Sequence, residues 1–221
     1  MLTSDQARGA LTELIDAATG SIGIRQAGWA RLSALSPGDL VRLDDNARTG
    51  WAWGRQPWTV LRTGPEELAE ATGLVAAVAS MHPDGRVRQP AAQALRSRPG
   101  PVPAALLALR SVDHVPQVRE DALAFLESRP SVEEACAALP VLLTVATREH
   151  GPVALSRYAF ALVDRDGGPG VLLQLLESPD RRTRRWAFTR CLEGGLLTVD
   201  DLLAAAQDRR DQFIRHAAAD S

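Results

Sequence analysis

The residues best placed to do chemistry are arginines that recur at one register. Arg25, Arg55, Arg88, Arg119, Arg184 and Arg215 each follow the residue that opens a repeated segment, as in "VRQPAAQAL" and "VREDALAFL". A guanidinium offers five N–H donors in a planar fork, so a row of them suits phosphates or carboxylates. Asp84, Asp180 and Asp211 stand four residues before three of these arginines, the spacing that pairs opposite charges along a helix. Two readings follow. One is a basic rail for an anionic ligand. The other is a structural ladder, with Arg25, Arg88, Arg119, Arg184 and Arg215 held by Asp84, Asp180, Asp211 and neighbouring acids. The matching acids favour the ladder.

The next position along is polar in every segment: Gln26, Gln56, Gln89, Glu120, Arg157, Arg185 and His216. A solvated face explains polarity alone, but this column faces any ligand that the segments enclose. Three of the five tryptophans, Trp51, Trp53 and Trp58, crowd into "TGWAWGRQPW". They read either as an aromatic patch for a base, sugar or peptide anchor, or as bulk filling an irregular core. "SPDRRTRRWAFTR" is the one dense basic run, and acids after Ser178 largely balance it. His82, His114, His150 and His216 are scattered, with no HExxH pair, no GxxxxGK loop and no GxSxG elbow. Cys136 and Cys191 form no CxxC pattern. No metal, cofactor or catalytic set is expected, and the chain reads as non-enzymatic.

The elements that must position these residues follow from the spacing. In the segments starting at Ile24, Val87, Val118, Leu155, Thr183 and Ile214, apolar or small residues recur four and eight places on. These places share one stripe of a helix with 3.6 residues per turn. The small residues at the fourth place are Gly28, Ala91, Ala122, Ala159, Ala187 and Ala218, which would let helix backbones approach. Successive starts lie roughly thirty residues apart, the mark of a repeat architecture. The first gap is double, so a degenerate, Trp-rich unit is placed at residues 48–64. The Asp three places before a start is expected to cap its helix, as Ser21 would for the first unit, with Asp113 a substitute from farther back. Between these helices run second apolar stretches such as "GPVPAALLALRSV" and "SVEEACAALPVLLTVATR", whose openings carry helix-start residues. Pro140 should bend the latter.

The run "AALLALRSVDHVPQVREDALAFL" resembles a HEAT-like repeat: a Leu-rich first helix, a turn with Asp, then Pro-x-Val-Arg and a second helix of small residues. "HPDGRVRQPAAQAL" is similar to the same second helix. The resemblance implies an all-α, right-handed α–α superhelix of about six to seven helix pairs, a solenoid whose second helices line the concave side. The whole chain, 1–221, is then one domain, with residues 1–20 as an N-terminal capping helix.

At 221 residues, 45% hydrophobic and 24% charged, the composition is that of a globular protein. All 25 basic residues are Arg, consistent with a GC-rich coding bias, and the formal net charge of −2 gives no overall attraction to nucleic acid. No secretory leader or membrane span is apparent, which points to a cytoplasmic protein. The function these features favour is a scaffold or adaptor that binds a protein or peptide on its concave face, as a monomer or weak oligomer, without a membrane partner. One alternative is a DNA-binding protein or an alkylpurine DNA glycosylase of HEAT-like build, drawing on Trp186, Arg185 and Asp180. Another is a self-associating regulatory subunit.

Overall fold

The computed structural model describes residues 2–49, 57–128, 131–163 and 168–221. Among these residues the structure is entirely helical, with no strand. The helices are α1 (Ser4–Thr19), α2 (Ile22–Ser33), α3 (Pro37–Thr49), α4 (Pro65–Leu68), α5 (Leu74–Ala79), α6 (Gly85–Arg96) and α7 (Pro101–Arg110). They continue as α8 (Pro116–Leu126), α9 (Val132–Val145), α10 (Gly151–Val163), α11 (Gly168–Leu175), α12 (Arg181–Glu193), α13 (Val199–Gln207) and α14 (Gln212–Ala219). A 3-10 turn spans Pro57–Val60. None of the described helices is long and apolar enough to cross a membrane.

The starts follow from side-chain chemistry. Thr3, Ser131 and Thr198 accept from the backbone N–H three residues on, and Gln6, Glu134 and Asp201 reach back, closing capping boxes on α1, α9 and α13. Asp84, Asp180 and Asp211 accept from the N–H of Arg86, Thr183 and Phe213 and cap α6, α12 and α14 as expected. Ser21 occupies the cap position of α2 but makes no side-chain cap bond. Asp113 does not cap α8. The cap there is Val115, and Asp113 instead folds the turn by accepting its N–H at 3.0 Å. The stretch "GPEELAEATGLVAAVAS" divides into α4 and α5, because Gly73 turns the chain through φ +78° while Glu70 gathers Thr72 and the N–H of Val75. α9 continues through Pro140.

From α5 onward, helices that neighbour each other in space are close in the sequence: α5 with α6, α6 with α8, α7 with α8 and α9, α10 with α11, α13 with α14. The first three helices are placed differently. α1 and α2 pack on α5, α2 also meets α7, and α3 lies against α9. This block therefore crosses the first helices of three successive pairs. Gly28 permits the approach: a Cβ there would stand 2.6 Å from Leu74 Cδ2 and 2.9 Å from Ala17 Cβ. One large apolar core joins α1 to α12, and a small separate cluster around Phe188, Ile214 and Ala218 holds the last hairpin.

Charge is buried where α3 meets the ends of α5 and α7. Asp44, Arg88, Arg110 and Asp113 are all inaccessible to solvent. Arg88 grips Asp113 in a two-point bond, Nε to Oδ2 at 2.9 Å and Nη2 to Oδ1 at 2.8 Å. Arg110 bonds to Asp44 and donates to the Ser80 carbonyl at 2.8 Å, while Arg48 spans Asp44 at 3.2 Å and Asp113 at 3.0 Å. Burial alone would raise the pKa of Asp113. The bonds from Arg88 and the charges of Arg110 and Arg48 outweigh it and hold the carboxyl well below its usual range.

Removing one member of such a network strands its partners in a dry interior, at a cost of about 3–5 kcal/mol. Arg110→Ala is therefore expected to lower the melting temperature by roughly 10 °C in a chain of this size. Arg31→Ala, which breaks the exposed pair with Glu13, should change it by no more than about 2–4 °C. Thermal melts followed by circular dichroism would show equal shifts if the buried network carried no special weight.

Candidate binding surface

Three of the recurring arginines share a contact with backbone carbonyls, and one of them, Arg88, also makes the pair with an Asp of the adjacent turn that a ladder would use, at Asp113. Arg88 donates to the carbonyls of His82 and Pro83, Arg119 to that of Asp113, and Arg184 to those of Ser178 and Pro179, all at 2.7–3.0 Å. The acceptor is each time five or six residues upstream, in the turn that leads into the helix. Each of these arginines thus satisfies carbonyls of the turn that joins two helices. Arg25 pairs with Glu70 at 3.7 Å, and among the described residues Arg215 pairs with no acid. Asp84 and Asp180 act as caps and do not pair with the arginines four places on. Among the described residues, Arg88, Arg119 and Arg184 are therefore engaged by backbone carbonyls.

The polar column is brought together only in part. Gln26 is exposed, beside Trp29 in a shallow hollow, and Gln89 is half-buried. Gln56, Trp51 and Trp53 lie outside the described residues. Glu120 and Arg157 do meet, at 3.0 Å, and Arg157 also forks onto Glu127, with Nη2 2.9 Å from Oε2. Bonds to Glu127 and Glu120 raise the Arg157 pKa further and keep it charged. Arg185 reaches Asp211 at 2.9 Å and stacks over the Phe213 ring, 5.2 Å from its centre. His216 is exposed, 3.4 Å from Gln212.

One register is displaced. In α10 the buried stripe is Gly151, Ala154, Tyr158 and Leu162, so Tyr158 takes the place expected for Ala159, and Arg157 sits one step off the column. In α2 the opening residue Ile24 is 52% exposed while Gly28 and Leu32 are buried.

The displacement in α10 exposes the feature that the residue pattern did not single out. Val153, Ser156, Phe160 and Val163 line the side opposite the buried stripe, and the three apolar members are 59%, 68% and 46% exposed. A helix apolar on every side is ordinarily buried on every side. The composition of "GPVALSRYAFALV", with Arg157 its only charge, was the available signal. Phe213, flanked by Arg185, is a further exposed ring on α14.

Trp58 is buried and meets His82 edge to face, with ring centres 4.9 Å apart. Burial lowers the His82 pKa. Trp186 is half-buried under Arg190, Asp180 caps α12 and Arg185 is bound to Asp211, so the three residues available to a base-excision reaction face separate tasks. The described residues contain no group of three His, Cys, Asp or Glu arranged to hold a metal ion. Comparison with models of known protein families gives no match, and no curated protein matches the sequence.

Bonds from Arg185 and from the Phe213 and Ile214 N–H groups hold the buried Asp211 carboxyl down to about 2, against 3.8 for a free side chain. A lowered folded-state value stabilises fully above the free value and is lost as pH falls towards the folded one. Asp211→Asn keeps the helix cap and loses the ion pairs, so it should cost about 1.5 kcal/mol near neutral pH, a low-end figure because Arg185 stays partly exposed. Melts from pH 7 to pH 2 should show the difference between wild type and variant constant above about pH 4 and vanishing towards pH 2. A difference unchanged at pH 2 would mean that Asp211 is not held by charge.

Proposed function

We propose that this chain is a HEAT-like scaffold, a stack of helix pairs that binds a protein partner along its second helices, and that α10 carries the principal contact. The repeated capping and carbonyl-binding arginines, and the sequential packing from α5 onward, support the stacked reading. The single observation that carries the binding proposal is the exposed row Val153, Phe160 and Val163 on α10. Beside it stand Glu120, Arg157 and Glu127, already bonded to one another. Ordered charges around an apolar strip supply orientation at small entropic cost, while the strip supplies affinity.

The partner surface is accordingly apolar, with polar groups at its edge, such as one face of an amphipathic helix. Covering a side chain the size of Phe or Val contributes about 1.5–3 kcal/mol, so loss of Phe160 alone should weaken binding tenfold or more. Phe160→Asp and the double variant Val153→Asp/Val163→Asp should melt like the wild type, because each site already faces water. Immobilised wild type and both variants would be compared against native host extract by quantitative mass spectrometry, and any protein found would be purified and titrated. The expected partner is retained by the wild type, is lost from both variants, and binds the purified wild type at least tenfold more tightly than Phe160→Asp. Identical retention by all three would overturn the assignment of α10 as the contact.

A further inference from the structure

Four prolines, three of which open or interrupt helices, converge on one cleft. Pro37 begins α3, Pro101 begins α7, Pro140 lies within α9 and Pro179 sits in the turn before α12. The cleft has a volume of about 390 Å³. Its apolar wall comes from Leu32, Leu35, Leu40, Val102, Ala105 and Val141, so it joins the α1–α3 block to the stack it lies against. This size and lining match small-molecule sites, which are mainly apolar with a few fixed polar groups.

The one charge in the cleft is negative, and the Ser178 hydroxyl, which accepts the Asp180 N–H at 3.3 Å, is its one hydroxyl donor not already used among the described residues. No Arg or His lines the cleft, and the chain has no Lys. Its one charged lining residue is Asp180, whose Oδ2 accepts the Thr183 N–H at 2.7 Å while no described residue donates to Oδ1. The Ser33 hydroxyl donates to the Trp29 carbonyl at 2.8 Å and presents lone pairs. Pro140 has no N–H to return to the Cys136 carbonyl one turn back. Proline rings supply no donors. The site is rich in acceptors, carries one negative charge and holds no cation.

We propose that this cleft binds a small molecule with an apolar body and a protonated amine head, the amine meeting Asp180 and the body lying on the proline-lined wall. A carboxylate or phosphate head would find no counter-charge there, and a purely apolar molecule would leave Asp180 uncompensated.

Octylamine, octanol and octanoate, which share a chain and differ in head group, test the proposal. Cys136 lines the cleft and Cys191 is fully buried elsewhere, so protection of Cys136 from maleimide reports occupancy, with Cys191 as the internal control. Burial pushes both thiols up, so labelling is done at alkaline pH, below the amine's own pKa. Octylamine is expected to protect Cys136 and raise the melting temperature, octanol less so, and octanoate not at all. Asp180→Asn retains the helix cap and should weaken octylamine at least tenfold while leaving octanol unchanged. Ala105→Phe, or Ala137→Phe if the first variant melts early, should fill the cleft and abolish protection by every probe. Equal protection by octylamine and octanoate, protection by none of the three, or an unaltered octylamine affinity in Asp180→Asn would each overturn it.

Discussion

The arrangement depends on charge being buried only where it is fully answered. Asp113 lies inside the turn between α7 and α8, receives Arg88 from α6 and Arg48 from α3, and stands 3.4 Å from Arg110. Asp44 links α3 to Arg110, which in turn holds the last carbonyl region of α5. Three guanidiniums and two carboxylates therefore fix the relative position of helices far apart in the chain. A purely apolar contact at this junction would be compatible with several registers of α3 along its neighbours, because hydrophobic contact is non-directional. Ion pairs in a dry interior are unforgiving of displacement: the same network that adds little net stability penalises every alternative placement.

Much of the secondary structure was legible in the residues, because its determinants are local. The caps at Asp84, Asp180 and Asp211, the boxes at Ser131 and Thr198, and the buried small residues Ala91, Ala122, Ala187 and Ala218 all act within a turn or two of helix. What lay beyond that range was not legible. Arg88 and Asp84 have ideal spacing for a pair, yet Arg88 prefers Asp113, twenty-five residues away. The buried acid offers it two acceptors in a water-free site, whereas the nearer one is already capping a helix. The register of α10 was missed for a related reason: Ala154 and Ala159 are equally small, and only packing places Tyr158 inside.

The candidate surface was legible only as a group of helices. The polar column named Glu120, Arg157 and Arg185, and these residues hold one another and Asp211. The exposed apolar row on α10 and the proline-walled cleft depend on which faces the neighbouring helices leave uncovered, a tertiary fact with no signature at a single period. Prolines and exposed valines are common enough to pass as ordinary until several occupy one place.

The small cluster at the end of the described structure behaves as a unit of its own. α13 has no fully buried residue, and α14 contributes only Ile214 and Ala218 to a core separate from the main one. Its attachment is concentrated at Arg181, Arg185 and Asp211. With so little apolar surface buried, this hairpin is expected to open at a lower cost than the main core, where α5–α9 contribute most of the fully buried residues. Among the described residues the molecule thus joins one large, well-anchored body to a lightly anchored end.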